Sequence, residues 1–155
     1  LADHMALAID EALPLIVDAL LASGLKERIR IIAAGQLVTP ARVAWALSAG
    51  ADFVNTARGF MFSLGCIQAL RCHTNNCPTG VTTHDPRLQR GLVVADKATR
   101  VASYCRNMNK EVAMIAHSCG LRHARELRRE HVRIVQPSGQ SVALDALHPY
   151  PVRAT

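Results

Sequence analysis

The residues with the most chemistry in this chain are three cysteines. Cys66, Cys72 and Cys77 stand within "GCIQALRCHTNNCPTG", Gly65 to Gly80, in the spacing C-x5-C-x4-C. On a continuous helix, Cys66 and Cys72 would be rotated by roughly 240°, so both could not turn to one group. Asn75, Asn76, Pro78 and Gly80 supply turn residues that break a helix, and a loop can fold three sulfurs inward. Soft thiolates suit iron–sulfur ligation. The spacing matches neither the common ferredoxin patterns nor the C-x2-C knuckles of zinc sites, for which His73 is the one adjacent fourth ligand. Iron–sulfur ligation ranks first, ahead of three buried thiols and of zinc.

The second informative stretch is "IIAAGQLVTPARVAWALSAGADFVNTARG". A strand ends in a glycine turn, a helix follows, and a second strand ends in "NTARG". Gly35 permits close backbone approach, amides at a helix start favour an anion, and Arg58 adds a positive charge. In (β/α)8 barrels the loops after the last two strands commonly form a phosphate site. An ordinary strand–helix turn remains the alternative.

These segments depend on the elements around them. Asp10 is the expected N-cap of a first helix, with Leu13, Ile16, Val17, Leu20 and Leu21 at helical spacing and Gly24 ending it. "RIRIIAA", Arg28 to Ala34, has the character of a buried strand. Thr39 and Pro40 start a helix that Gly50 stops, and "ADFVNTA" is a second strand. The result is a β-α-β unit with parallel strands. "GFMFSLG" leads into the cysteine loop as a helix, and Asp85-Pro86 restarts regular structure. Asp96 is expected to cap the longest helix, whose stripe runs Val101, Tyr104, Cys105, Met108, Val112, Ile115, Ala116 and Cys119. Cys105 and Cys119 are thereby expected in the core. A short basic helix follows, then a tail with turn signals and little periodicity.

The chain has 155 residues, half of them hydrophobic and 19% charged, which excludes a disordered chain and fits one hydrophobic core. Aromatic residues make up 4%, too few for base-stacking platforms. The net charge of +6 draws on "GLRHARELRREHVR", but Glu126 and Glu130 alternate with the arginines there. A solvated helix with charge pairs is expected, not a nucleic-acid surface. The longest apolar run, "ALPLIVDALLASGL", is interrupted by Asp18 and does not reach a membrane span. Five cysteines in no paired pattern do not suggest a secreted disulfide scaffold, and a cytoplasmic protein is expected. The start at Leu1 suggests a piece of a longer protein, in which an upstream membrane segment stays open.

Taken together, "GQLVT…ALSAGADFVNTARGFMFSLGCIQALRCHTNNCPTGVTTHDP" resembles the FMN-binding, iron–sulfur domain of glutamate synthases, most closely from about Ile29 to Asp85 and onward to the "LHPYP" tail. The three-cysteine signature followed by Pro-x-Gly-Val is its specific part. The resemblance implies an α/β fold that is the C-terminal portion of a (β/α)8 TIM-type barrel: residues 1–64 as its last βαβ part, 65–85 as a cysteine cluster loop, and 86–155 as C-terminal helices and tail. It implies that Cys66, Cys72 and Cys77 hold a [3Fe–4S] cluster, and that Gly35, Gln36, Thr56, Ala57 and Arg58 lie near the phosphate of FMN.

It further implies reductive amination of 2-oxoglutarate to glutamate, with glutamine or ammonia as nitrogen source. An electron-donor protein or a reduced-nicotinamide partner subunit would supply electrons. The family's upstream Gly-rich flavin and substrate segment and its amidotransferase domain are absent from these 155 residues. The isolated chain is therefore expected to be inactive, helix-rich and prone to self-association. A non-catalytic metal- or cluster-binding module is the competing reading.

Overall fold

The computed structural model describes residues 5–152; Leu1 lies outside them. The chain is a mixed α/β fold in which helices dominate. Helix α1 spans Ile9–Ala22, strand β1 Ile32–Ala34, helix α2 Pro40–Ala49, strand β2 Phe53–Asn55 and helix α3 Ala57–Leu64. The cysteine loop follows. After it come the short helix α4 (Pro86–Gln89), the long helix α5 (Val94–Ser118), a β3–β4 hairpin (Arg133–Val135 and Ser141–Ala143) and α6 (Leu144–Leu147).

The β-α-β unit is present with parallel strands, pairing Ile32 with Phe53, Ala33 with Val54 and Ala34 with Asn55. Thr39 caps α2 by accepting a hydrogen bond from the Arg42 amide, and Gly50 ends it in the left-handed conformation at φ 114°. Asp52 joins the two strands from below. Its carboxylate accepts from Lys26 Nζ at 2.7 Å and from the Ile31 amide at 2.8 Å. Burial pushes its pKa up, but the Lys26 bond, the Ile31 amide and the charges of Lys26 and Arg30 outweigh that and hold it below the usual carboxylate value.

The core lies between α1, α2, α5 and α6. Leu13, Val17, Val43, Ala46, Ala49, Met108, Val112 and Leu144 belong to one buried cluster, with α2 in contact with both α1 and α5. Each such Leu or Val contributes roughly 1.5–3 kcal/mol by leaving water. Residues 104, 108, 112 and 116 of α5 advance four at a time, so the seam is narrow.

That narrowness corrects one expectation. Cys105 and Cys119 are exposed; each sits one residue or more off the seam. Both aspartate caps also move: Asp10 and Asp96 lie in the first turns of α1 and α5, whose N-caps are Ala8 and Val93. An acid in a first turn still complements the helix dipole without closing the helix end. The first strand is short and only Ala33 of it is buried, because a two-stranded sheet covers one face; Ile32 and Phe53 stay exposed.

The basic segment is not a solvated helix either. It forms two single 3-10 turns, Ala124–Glu126 and Arg129–His131. Arg129 is fully buried: its guanidinium bonds Asp18 Oδ1 at 2.5 Å and the His148 carbonyl at 2.6 Å, and stacks over Tyr150. The tail carries the β3–β4 hairpin, whose turn is closed at Gln136 and Gly139.

Candidate functional site

The carboxyl ends of β1 and β2 open into a cleft of about 730 Å3. Gly35, Gln36, Thr56, Ala57 and Arg58 all line it, so two loops some twenty residues apart in sequence meet there. Gln36 sits in the left-handed region at φ 54°, which turns the chain sharply from β1 into the loop before α2. Gly35 lies against α1: a methyl group at that position would come within 3.1 Å of Ile9. Arg58 is exposed in the first turn of α3, and no side chain caps that helix end. The first-turn amides of α3 and a guanidinium therefore share one rim, an arrangement that favours an anion.

Tyr104 holds this cleft together, a role that its place on an apolar stripe did not reveal. Its hydroxyl donates to the Val38 carbonyl at 3.0 Å and lies 3.4 Å from the Thr56 hydroxyl, linking α5 to both loops. Phe60 meets its ring edge-on, with centroids 5.2 Å apart. The signal was available: a buried tyrosine hydroxyl on an apolar seam needs a partner.

The far end of α3 delivers the cysteines. Gly65, at φ 102°, ends the helix, and the Cys66 amide still bonds the Met61 carbonyl at 3.0 Å. Gln68, Leu70 and Asn75 then take left-handed conformations, which fold the loop back on itself. The Asn75 carbonyl and side chain accept bonds from Thr83 and the His84 amide, tying the loop to the start of α4. Cys66, Cys72 and Cys77 line one small hollow of about 10 Å3.

No three described His, Cys, Asp or Glu side chains converge where a single metal ion could sit. A zinc ion would need such convergence. The three cysteines share the lining of one hollow without converging on a single point. The hollow as it stands holds about one water, so seating a larger group would widen it.

Two threonines surround the Cys77 thiol. Its sulfur lies 3.5 Å from the Thr79 hydroxyl, and its pKa falls to about 6. The Thr79 hydroxyl is the largest cause, followed by the Thr82 amide; burial opposes both, and the Thr79 amide adds to the lowering. The Thr82 hydroxyl is buried beside the same sulfur and makes no hydrogen bond of full geometry.

A family model described as the conserved region in glutamate synthase matches residues 1–122. The chain belongs to the glutamate synthase family. It is 44% identical over 95% of its length to a glutamate synthase large subunit-like protein, YerD, of Bacillus subtilis. It is 31% identical over 85% of its length to an archaeal glutamate synthase [NADPH] of Methanocaldococcus jannaschii. With a glutamate synthase [NADH] of Schizosaccharomyces pombe it shares 30% identity over 81% of the chain. The chain spans 28%, 26% and 6% of those relatives, so it corresponds to a minor part of each. None of its described helices is long and apolar enough to cross a membrane.

Proposed function

We propose that this chain is the C-terminal part of a glutamate synthase-type oxidoreductase, and that the parallel β1–β2 pair with α2 and α3 closes a (β/α)8 barrel around FMN. The observation that carries this reading is the meeting of Gly35, Gln36, Thr56, Ala57 and Arg58 in one cleft at the carboxyl ends of two parallel strands. Cofactors of α/β folds bind at that end. The α3 amides and Arg58 would take the FMN phosphate, Gly35 and Gln36 would shape the loop beside it, and Tyr104 would keep the two loops in register.

Cys66, Cys72 and Cys77 would hold a [3Fe–4S] cluster. The fit rests on three thiols lining one hollow and on the Thr82 hydroxyl, a buried donor without a full bond that faces the same sulfur as Thr79. When bound, FMN supplies hydride transfer and the cluster supplies one-electron relay. Helix α3, with eight residues, would separate the two sites by about 12 Å along its axis. The substrates of the whole enzyme would be 2-oxoglutarate and glutamine or ammonia, with electrons from a donor protein or a reduced-nicotinamide subunit. Five free cysteines suit the cytoplasm.

The test uses the full-length protein, purified without oxygen. Arg58→Ala is expected to weaken FMN binding by ~1.5–3 kcal/mol, the value of a charge-assisted hydrogen bond. Serine at Cys66, Cys72 or Cys77 should abolish the iron and sulfide content, whereas Cys105→Ser and Cys119→Ser should leave both intact. Stoichiometric zinc without sulfide, or unchanged flavin affinity in Arg58→Ala, would overturn the corresponding assignment.

A further inference from the structure

The start of α5 brings two positive charges to Gly65, the residue before the first cysteine. A methyl group placed on Gly65 would lie 3.3 Å from Lys97 Nζ and 3.9 Å from an Arg100 guanidinium nitrogen. Gly65 directly precedes Cys66, and the Cys66 amide is anchored to α3, so the cations stand beside backbone that is held to the helix end. The Lys97 side chain is only 14% exposed, whereas Arg100 is exposed. Its one carboxylate neighbour among the described ion pairs, Asp96, stands off at 3.7 Å and is itself 59% exposed. The Lys97 charge is therefore shielded from water yet not tightly neutralised.

We infer that Lys97, with Arg100 beside it, is a positioning residue that raises the reduction potential of the iron–sulfur group held at Cys66. The inference rests on the iron–sulfur reading of the cysteine loop. Reduction adds one electron, and hence one negative charge, to such a group. An ammonium held beside the residue that precedes a ligand stabilises the reduced form more than the oxidised one, and partial burial preserves that attraction from screening. A second role competes with this one: Lys97 also lies near the last carbonyls of α3, where a cation complements the helix dipole and adds stability alone. The two roles separate experimentally, because a helix-end charge changes the unfolding midpoint without moving a redox potential.

The experiment is a dithionite titration of the anaerobically purified full-length protein, followed by electron paramagnetic resonance, after iron and sulfide have been assayed. Dithionite supplies the single electron that each cluster accepts. Lys97→Gln should shift the midpoint potential downward and Lys97→Glu further, while Lys97→Arg should stay close to wild type. Arg100→Gln should give a smaller downward shift, since that side chain is exposed, and it serves as the second variant if Lys97→Gln does not fold. Lys110→Gln, on an exposed position of α5, should leave the potential where it is. A cluster-bearing Lys97→Gln protein with the wild-type potential overturns the inference, as does Arg100→Gln without a shift where Lys97→Gln cannot be folded. If the wild-type protein holds no iron or sulfide, the iron–sulfur reading falls first and this inference with it.

Discussion

Gly59→Ala measures how firmly α5 is fastened over the cleft. Gly59 is buried inside α3, and a methyl group there would run into the Tyr104 hydroxyl and come within 2.6 Å of its ring carbon Cζ. Two effects oppose each other. Alanine is favoured over glycine inside a helix by about 1 kcal/mol. Overpacking costs ~1–3 kcal/mol, and displacing the hydroxyl from Val38 and Thr56 costs about 1–2 kcal/mol more. The clash wins, and the variant should be destabilised by about 1–4 kcal/mol in urea unfolding of the 155-residue chain. Tyr104→Phe alone loses only the hydroxyl bonds, about 1–2 kcal/mol. In the double variant those bonds are already gone and the hydroxyl that the methyl meets is removed, so the combined loss should fall short of the sum by at least about 1–2 kcal/mol. Additive losses, or a Gly59→Ala chain more stable than wild type, would refute the packing described for Tyr104.

Three further outcomes follow from other contacts. Arg129→Ala should destabilise the chain by about 3 kcal/mol, the low end for breaking a buried pair because Asp18 keeps some solvent access, and chemical denaturation reads it. Asp52 has its pKa lowered in the folded chain, so its contribution is present above the ordinary carboxylate value and fades as pH falls through the folded value. The stability gap between wild type and Asp52→Asn should accordingly be full at about pH 6 and narrow only as pH falls below the ordinary carboxylate value, in urea unfolding across pH; a gap independent of pH would refute the role of that carboxylate. Thr39→Ala should cost about 1 kcal/mol by uncapping α2, measured in the same way.

What the sequence revealed was mostly local. Thr39-Pro40, Gly50 and Asp85-Pro86 act within a few residues of themselves, and each bounds a helix as expected. The parallel strand pair was legible because hydrophobic runs and turn residues alternate at short range. Failures came where one side chain answers to a distant one. Arginines interleaved with glutamates read as a solvated helix, and nothing near Arg129 announces that Asp18 claims it. Cys105 and Cys119 fell within a stripe drawn too broadly, since the helices that pack on α5 leave contact along a single narrow seam. At the candidate site the residue types were visible in advance, but the fastening by Tyr104 and the donors Thr79 and Thr82 depend on how the loops close.

The clasp between Asp18 and Arg129 spans 111 positions of the chain. At a synthesis rate of roughly 5–20 residues per second, Asp18 would emerge on the order of 6–22 s before its partner is made. Through that interval Asp18 lacks the guanidinium it holds in the folded chain, and the His148 carbonyl that completes the clasp is made later still. Local helices can form as they appear, but the packing of α1 against the segment from Arg129 to Tyr150 must wait until that segment has been made. Contacts of such long sequence separation slow folding, because loop closure comes before the reward. A nascent chain stalled after Gly120 should therefore be cut readily by protease within α1, whereas a chain that extends past Tyr150 should resist.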